Sequence, residues 1–428
     1  MGLSRGEGGA AGTLKFRWRE PRVYVISPPF NMSNELIYLD NNATTRVAPE
    51  VAAAMQPYLA ELFGNPSSAH ALGRKMKEAV EKSRDQVANL IGAANSSEIV
   101  FTSCGSESDN WSIRGALATQ PDKRHIITTQ VEHEAVKNLC ELLEQEGYEV
   151  TWLGVDAHGE LDLDELRRSL RPDTALVTVM LANNETGVLF PMKEIGDIVR
   201  ERSTALFHVD GVQAVGKIPI NLRETNVDLF ALSGHKLHAP QGIGALYVRT
   251  GVTLPPFIVG GAQEHGRRAG TSPVPNIVGL GAACELARQS DNHDEIRFLR
   301  DRLESQILST IPNARVNGVR EAAKRLPNTS NISFEYVDGQ NILAHLDKVG
   351  ICVSTGSACH SSTKQSSPTL RAMNVPYTAA QGSIRFSLGR YNTLEEIDYT
   401  LGVLPGIIAD LAAMSPYDKE LQALFASR

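Results

Sequence analysis

The chain contains little cysteine, and its cysteines lack the spacing of a metal or redox site. Five are present among 428 residues, and no two are separated by the two residues of a C-x-x-C motif. Disulfide frameworks are typical of small secreted domains, and most cysteine-based zinc sites use closely spaced pairs. We therefore expect free thiols and a reducing, cytoplasmic environment.

Long apolar runs and an excess of positive charge are also absent. No run reaches the roughly 18 apolar residues of a membrane-spanning helix. Lys and Arg total 42 against 49 Asp and Glu, which gives a net charge of −7, and the basic residues form no stripe. Surfaces that bind nucleic acid are usually positive. We expect neither a membrane nor a nucleic acid as a partner.

The first 31 residues differ in pattern from the rest of the chain. Residues 1–12 are rich in glycine, and residues 13–31 mix arginine, proline and aromatic residues without a period. The segment lacks the apolar centre of a signal peptide. Its basic residues would suit a mitochondrial presequence, but Glu7 and Glu20 interrupt them. We expect residues 1–31 to be a disordered extension and Met32 to be the natural start of translation.

From residue 32 onward strand-like and helix-like segments alternate, which predicts an α/β fold with a mainly parallel sheet. Because 428 residues exceed one ordinary core, two domains are expected. The polar stretch Gln289–His293 marks their boundary. Residues 48–290 would form the large domain, and residues 32–47 with 291–428 the small one. The predicted helices are Ala79–Ile91, Val131–Glu146, Leu163–Leu170, Met192–Arg202 and Glu295–Ile311.

A lysine follows the apolar strand Val227–Leu232 in the turn Ser233–Lys236. Lysine is costly to desolvate as a cation, so the edge of a buried strand favours its neutral, nucleophilic form. A Schiff base with pyridoxal phosphate (PLP) requires that form of Lys236. Alone, the pattern is more typical of a surface lysine, so the assignment depends on the neighbouring strand ends.

A carboxylate ends the preceding apolar strand. Asp210 follows Ala205–Val209, and Gln213 comes three residues later. An unpaired charge after a buried strand is unfavourable, and the protonated pyridine nitrogen of PLP would supply the missing partner. Gln213 could donate to the phenolic oxygen of the same ring. The simpler alternative is that Asp210 only caps a helix.

Three more strand ends carry polar residues that suit the same cofactor. After the strand Ile99–Thr102, the turn at Gly105 and Ser106 opens a helix whose free N–H groups could hold a phosphate. His133 lies between a strand and a helix, where it could stack on the ring and move protons. Asn184 follows a further apolar strand and could hydrogen-bond the cofactor or the substrate.

Together with Tyr38–Thr45 and Gly64–Ser68, these motifs resemble the cysteine desulfurases of the class V aminotransferase fold, in particular the nitrogen-fixation (NifS) type. The resemblance runs from about Glu35 to about Tyr417. It implies fold type I of the PLP enzymes, an α/β fold with a large, mainly parallel sheet domain and a smaller α+β domain. The implied cofactor-binding residues are Gly105, Ser106, His133, Asn184, Asp210, Gln213, Ser233, His235 and Lys236.

The resemblance also implies a homodimer and a catalytic cysteine. Thr271 matches a residue that reaches the phosphate of the partner subunit's cofactor. Cys359 lies in the small, polar stretch Thr355–Ser367 and matches the family's nucleophile, whose thiolate accepts sulfur as a persulfide. The stretch departs from the family in its Cys-His-Ser run. His360 would lower the thiol's pKa or remain solvated, and we expect the latter.

The strand Gly382–Gly389 places Arg385 and Ser387 on one face and Ile384 and Phe386 on the other. A guanidinium on a strand suits bidentate recognition of a carboxylate. Arg385 matches the family's substrate-carboxylate arginine, and Asn184 is expected to assist it.

The resemblance therefore predicts an enzyme that converts L-cysteine to L-alanine and passes a Cys359 persulfide to an iron–sulfur scaffold or another acceptor protein, in association with nitrogen fixation. Through its persulfide, Cys359 would also contact an iron–sulfur cluster. Two alternatives stay open. One is a selenocysteine lyase, an aminotransferase or another PLP enzyme of the same fold. The other is a sulfur-relay partner without PLP chemistry, against which Lys236, Asp210 and His133 argue.

Overall fold

The computed structural model describes residues 36–290, 292–355 and 366–415. Of the features predicted from the sequence, the extension at residues 1–31 and Cys359 lie outside the described residues. The predicted α/β class is confirmed, because a seven-stranded, mostly parallel sheet lies between helices and smaller sheets accompany it.

The strands differ in length and fall into three sheets. In chain order they are β1 (Ile37–Tyr38), β2 (Ile99–Thr102), β3 (His125–Thr129), β4 (Glu149–Leu153), β5 (Thr174–Met180), β6 (Leu206–Asp210), β7 (Leu229–Ser233), β8 (Gly244–Val248), β9 (Ala314–Asn317), β10 (Thr329–Phe334), β11 (Ile351–Cys352) and β12 (Ser383–Ser387).

Helices connect most of these strands. In chain order they are α1 (Pro49–Ala60), α2 (Ala71–Ile91), α3 (Gly105–Ala118), α4 (Glu134–Gln145), α5 (Leu163–Ser169), α6 (Met192–Arg202), α7 (Val274–Gln289), α8 (His293–Thr310), α9 (Gly339–Lys348), α10 (Pro368–Ala372), α11 (Tyr377–Gln381) and α12 (Leu394–Ala413).

The large sheet has the strand order β2-β8-β7-β6-β5-β3-β4. The pairs from β4 to β7 are parallel, whereas β8 runs antiparallel to both β7 and β2. As a result β2, β3, β5, β6 and β7 all end at the same edge of the sheet. Ligands of open α/β sheets usually bind at this edge, and the polar residues singled out in the sequence follow those strand ends.

All seven residues of β5 are buried, as expected for a strand covered on both faces. Alternate side chains enter different hydrophobic cores. Val177 and Val179 pack in the core that includes residues of α2, α6 and α7, and Leu176 packs in the core that includes residues of α3 and α4. Helices on both faces therefore fix the positions of the strand ends.

The observed helix bounds agree with the predicted ones to within three residues, except at the start of α2. The predicted Met192–Arg202 coincides with α6, whereas α2 begins eight residues before the predicted Ala79. Its first turn is stabilised by a side chain, because the Nδ1 atom of His70 accepts a hydrogen bond from the Gly73 N–H at 3.1 Å. Capping by histidine has no strong sequence signature, so the early start was missed.

The remaining strands form two smaller sheets. β9, β10 and β12 make an antiparallel sheet in the order β12-β10-β9, and β1 pairs in parallel with β11. A third hydrophobic core gathers side chains of these strands with those of α8, α9 and α12. The predicted division at residues 48 and 290 stays a prediction. Within the described residues, no helix is both long and apolar enough to cross a membrane.

Candidate active site

A cavity of about 360 Å³ opens where the strands of the large sheet end. It contains nearly all the residues predicted as a site, although they come from distant parts of the sequence. Those lining it are Gly105, Ser106, His133, Asn184, Asp210, Gln213, Ser233, His235, Lys236 and Arg385.

The cavity wall at the start of α3 suits an anion. Cys104 is the N-cap residue, and its side chain makes no capping hydrogen bond. Glu107 in the first turn is paired with Arg268, whose Nε lies 2.9 Å from its Oε1. Although burial raises the pKa of Glu107, hydrogen bonds from Arg268 and Ser103 bring it below the usual value. The negative charge of Glu107 is thus balanced by Arg268, and the helix N-terminus keeps its attraction for a phosphate.

Gly105 fits this position because a side chain would not. A Cβ atom there would lie 2.7 Å from Cγ2 of Val212, which is inside van der Waals contact. Val212 also lines the cavity and follows Asp210 by two residues. Gly105 therefore lets the start of α3 approach the end of β6 closely.

Three buried carboxyl groups lie at one end of the cavity. Asp210 at the end of β6 accepts a hydrogen bond from the Val212 N–H at 2.9 Å. Asp109 and Glu132 each keep one buried oxygen without a hydrogen-bond partner among the described residues. Burial raises the pKa of Asp109 well above its usual value, that of Glu132 to about 8, and that of Asp210 less strongly. The raised pKa values reflect the cost of ionising buried carboxyl groups that lack a counter-ion, and a bound cation would offset that cost.

His208 does not supply that cation. Its Nδ1 lies 2.8 Å from the Thr178 hydroxyl, and its Nε2 lies 3.5 Å from Asp109 Oδ1. The ring is fully buried, and burial lowers the pKa of His208 to about 3. The imidazole is therefore neutral, and the carboxyl end of the cavity fits a protonated pyridine ring.

Basic residues also line the cavity. Lys236 lies in the short turn Gly234–Lys236 after β7, and its Nζ donates to the backbone oxygens of Asn42 at 2.6 Å and Ala43 at 2.8 Å. Burial, together with the nearby Lys236, lowers the pKa of His235 to about 4. His235 is then neutral and leaves Lys236 without an adjacent imidazolium.

Arg385 lies on β12 of the three-stranded sheet and lines the cavity at the edge of the seven-stranded sheet. Its guanidinium donates to the backbone oxygen of Asn184 at 3.0 Å and to Asp40 Oδ1 at 2.7 Å. The Nε atom is buried and has no partner among the described residues. The Arg385 backbone N–H donates to Ser354 at 2.7 Å, which ties β12 to the chain just before the predicted cysteine loop.

Both described ends of that loop line the cavity. Thr355 precedes the loop in the sequence, and Pro368 and Thr369 follow it. The Ser367 hydroxyl donates to Glu185 Oε2 at 2.6 Å. Burial raises the pKa of Glu185 to about 7. The ten undescribed residues 356–365, which include Cys359, are therefore connected at each end to the cavity wall.

The remaining predicted residues are placed differently. Thr271 is exposed and does not line the cavity of its own chain. Cys140 and Cys284 are buried in the hydrophobic cores, and Cys104 lies in the cavity wall. Cys352 is only partly buried. It lies on the two-residue strand β11, which leaves part of its side chain uncovered.

Sequence reasoning missed several residues that complete the site. Asn42, Asp109, Glu132, Glu185 and Lys217 were not singled out, although each contacts or lines the cavity or its predicted residues. Asn42 belongs to the Tyr38–Thr45 motif, and Lys217 follows Gln213 by four residues. In the ranges that the structure describes, no group of three or more His, Cys, Asp or Glu side chains is arranged so that it could hold a metal ion.

Sequence comparison shows to which known proteins this chain is similar. A family model described as Aminotransferase class-V matches residues 37–400. The cysteine desulfurase of Trichormus azollae is 57% identical over 388 residues, which cover 90% of this chain and 96% of that protein. The cysteine desulfurase NifS of Azotobacter vinelandii is 51% identical over 383 residues, or 89% of this chain and 94% of that protein.

A solved structure of a protein with a similar description also has a similar fold. A protein described as NifS-like superposes with a TM-score of 0.82 at 39% sequence identity, covering 88% of this chain and all of the other.

Proposed function

Because the chain belongs to the class V aminotransferase family, we propose that its cavity binds PLP and that Cys359 receives the sulfur of L-cysteine as a persulfide. The chain is a cysteine desulfurase with a role in iron–sulfur cluster assembly, and its similarity to NifS links it to nitrogen fixation. We also propose which residues hold the cofactor and the substrate, and which partners the protein has.

The distribution of charge in the cavity is the observation that supports PLP. The start of α3 suits the phosphate, the carboxyl cluster at Asp210 suits the ring nitrogen, and Lys236 lines the same cavity. His133 would stack on the ring, Gln213 and Asn184 would bind its oxygen, and Ser233 with His235 would complete the phosphate contacts. When bound, the cofactor supplies an electron sink that weakens bonds of an amino acid.

Arg385 is proposed to bind the substrate carboxylate. Its guanidinium is directed by Asn184 and Asp40, and its unpartnered Nε leaves one donor unused in the described residues. A bidentate pair with a carboxylate would fix the amino acid in one orientation. Lys236 would then remove and return the proton at the substrate's Cα.

Cys359 would complete the transfer of sulfur. Its thiolate forms a bond to the substrate sulfur while the bond from that sulfur to Cβ breaks, and the electron pair stays with the carbon fragment. Protonation of that fragment gives L-alanine, and the enzyme keeps a persulfide. The acceptor would be an iron–sulfur scaffold or another protein that takes up sulfur at the persulfide.

A homodimer is proposed because an exposed apolar segment precedes Thr271 in the sequence. Phe257, Ile258 and Val259 are exposed, Val259 to 85%, which is unusual for three consecutive apolar residues. Thr271 lies outside its own chain's cavity. A second copy covering this segment would bring Thr271 to the other subunit's phosphate. The free cysteines among the described residues favour the cytoplasm as the place of action.

The function is tested by following alanine from L-cysteine with the purified, PLP-supplemented protein. Wild type should produce alanine and, with a reductant, an equal amount of sulfide. Lys236→Ala should lose turnover, whereas the exposed control Lys193→Ala should retain it. Alanine formation at the wild-type rate by Lys236→Ala would overturn the assignment of that lysine. Absence of alanine from wild type would overturn the function.

A further inference from the structure

Among the described parts of the chain, Lys217 is the lysine whose side-chain amine hydrogen-bonds a proposed cofactor-binding residue, Gln213. It follows the turn after β6, where Gly216 adopts φ of 76°, in the left-handed region that glycine tolerates. Its Nζ lies 2.9 Å from Gln213 Oε1 and 2.9 Å from Asn42 Oδ1. Neither partner is a carboxylate, so the contact is not an ordinary ion pair.

The hydrogen bonds of Gln213 fix which way its amide faces. One terminal atom of the Gln213 amide lies 2.9 Å from the backbone oxygen of Asn42, which only accepts, and must therefore be the NH₂ group. The atom that meets Lys217 is then the oxygen, and it accepts a hydrogen bond from the amine. One N–H is used by Asn42, and the second is left for a group in the cavity.

Asn42 is fixed in the same way. Its side-chain oxygen accepts from Lys217 and from Asn328, and its NH₂ group donates to the Thr329 hydroxyl and to the backbone oxygen of Asn184. The Asn42 backbone oxygen accepts from Lys236 at 2.6 Å. The amide of Gln213, the backbone at Asn42 and the amine of Lys236 thus form one network anchored by Lys217.

We propose that Lys217 is a positioning residue that holds the NH₂ group of Gln213 towards the phenolic oxygen of PLP and the Asn42 carbonyl towards Lys236. This rests on the proposed function, because the oriented donor matters only if PLP occupies the cavity. Without Lys217, the Gln213 oxygen would lose its donor, and only the Asn42 carbonyl would hold the amide. The NH₂ group would then be directed less firmly at the phenolic oxygen, and the hydrogen bond to the ring would weaken.

The charges around the network are compatible with a fixed amine. Burial first, and then the cations Lys236 and Arg385, lower the pKa of Lys217 well below its usual value. His235 on the same side has a lowered pKa and is neutral near pH 7. Asp210 lines the same cavity and makes no hydrogen bond to Lys217 among the described residues. A neutral or charged Lys217 donates to both amide oxygens, so the orientation does not depend on its charge.

The test measures the pH midpoint of the visible absorption of the cofactor bound to Lys236. A donor to the phenolic oxygen stabilises its anion and makes the linkage easier to deprotonate. Lys217→Met should therefore raise the midpoint by about one pH unit, with cofactor still bound. Lys193→Met, an exposed lysine paired with Asp197, should leave the midpoint unchanged. If Lys217→Met does not fold, the smaller Lys217→Ala, which also lacks a donor, tests the same shift.

A double-mutant cycle separates orientation from simple loss of charge. In the Gln213→Met background, Lys217→Met should cause less than half of its shift in wild type, because the donor that it orients is gone. An undiminished shift would mean that only charge is involved and would overturn the proposal. No shift from Lys217→Met in wild type would also overturn it. A wild-type protein without the visible band would instead contradict PLP binding itself.

Discussion

Arg385 shows how far a single residue can be predicted. Its place on one face of a strand follows from alternation along Gly382–Gly389, and the structure confirms that Arg385 is buried on β12 and lines the cavity. Its partners could not be predicted. Asp40 and Asn184 lie 345 and 201 residues away in sequence, and only tertiary contacts, such as the isolated bridge between Asp40 and Ser387, bring them to Arg385.

Replacing Arg385 by alanine tests its proposed role in binding the substrate. The loss of a charge-assisted hydrogen bond to a carboxylate costs roughly 1.5–3 kcal/mol. Since about 1.4 kcal/mol is tenfold, kcat/KM for L-cysteine should fall roughly ten- to a few hundred-fold. Arg390→Ala at the end of the same strand is the matched control, because Arg390 packs over Tyr391 and does not line the cavity.

Cofactor content distinguishes binding from folding in this experiment. PLP content of Arg385→Ala should stay near that of wild type. If it falls in step with activity, Arg385 is structural, and the substrate carboxylate is held by another residue.

At the scale of elements, the ends of strands were the most predictable feature. The bounds of β2 coincide with the prediction, and β6 and β7 end within one residue of it. Apolar runs that stop at polar turns identify such strands because both faces are covered by helices. The cluster of Asp109, Glu132 and Asp210 was not predicted, since these carboxyl groups are far apart in the sequence and their proximity is purely tertiary.

His208 on β6 makes stability depend on pH in a predictable direction. Its pKa is lowered from 6.5 to about 3 in the folded chain. Between these values the unfolded chain binds a proton that the folded chain does not. The free energy of unfolding therefore falls as pH decreases below 6.5, by up to about 1.4 kcal/mol per unit from this group.

His208→Gln should remove this contribution. Urea unfolding at roughly pH 6.5 and pH 5 should show that the variant loses about 2 kcal/mol less stability than wild type between these pH values. His158→Gln, an exposed residue of a turn, should retain the wild-type dependence. An identical pH dependence in wild type and His208→Gln would mean that the histidine titrates normally in the fold.

At the scale of the whole molecule, the family, the fold and the reaction followed from motifs along nearly the entire chain. The motifs succeed because the cavity draws on many strand ends whose order in the sequence is fixed by the sheet. Quaternary structure is less accessible, since a residue such as Thr271 acts away from its own cavity. The predicted homodimer stays a prediction, supported by the exposed Phe257–Val259 segment.

The dimer is tested by molar mass and by mixed subunits. Light scattering should give twice 46.5 kDa. Thr271→Ala should weaken PLP retention roughly tenfold or more by loss of a phosphate hydrogen bond. A mixed dimer of Lys236→Ala and Thr271→Ala subunits should recover one site with wild-type PLP retention, because Lys236 and Thr271 of that site come from different chains. A monomer, or no recovery, would contradict this arrangement.

The central claim is that sulfur passes from L-cysteine to Cys359. The purified protein is exposed briefly to L-cysteine without reductant, and its peptides are examined by mass spectrometry while alanine is measured. The peptide containing Cys359 should gain one sulfur atom for each alanine formed in the first turnover, and Cys359→Ala should release almost no sulfide. Added sulfur on Cys104 or Cys352 instead, or normal desulfuration by Cys359→Ala, would contradict the mechanism.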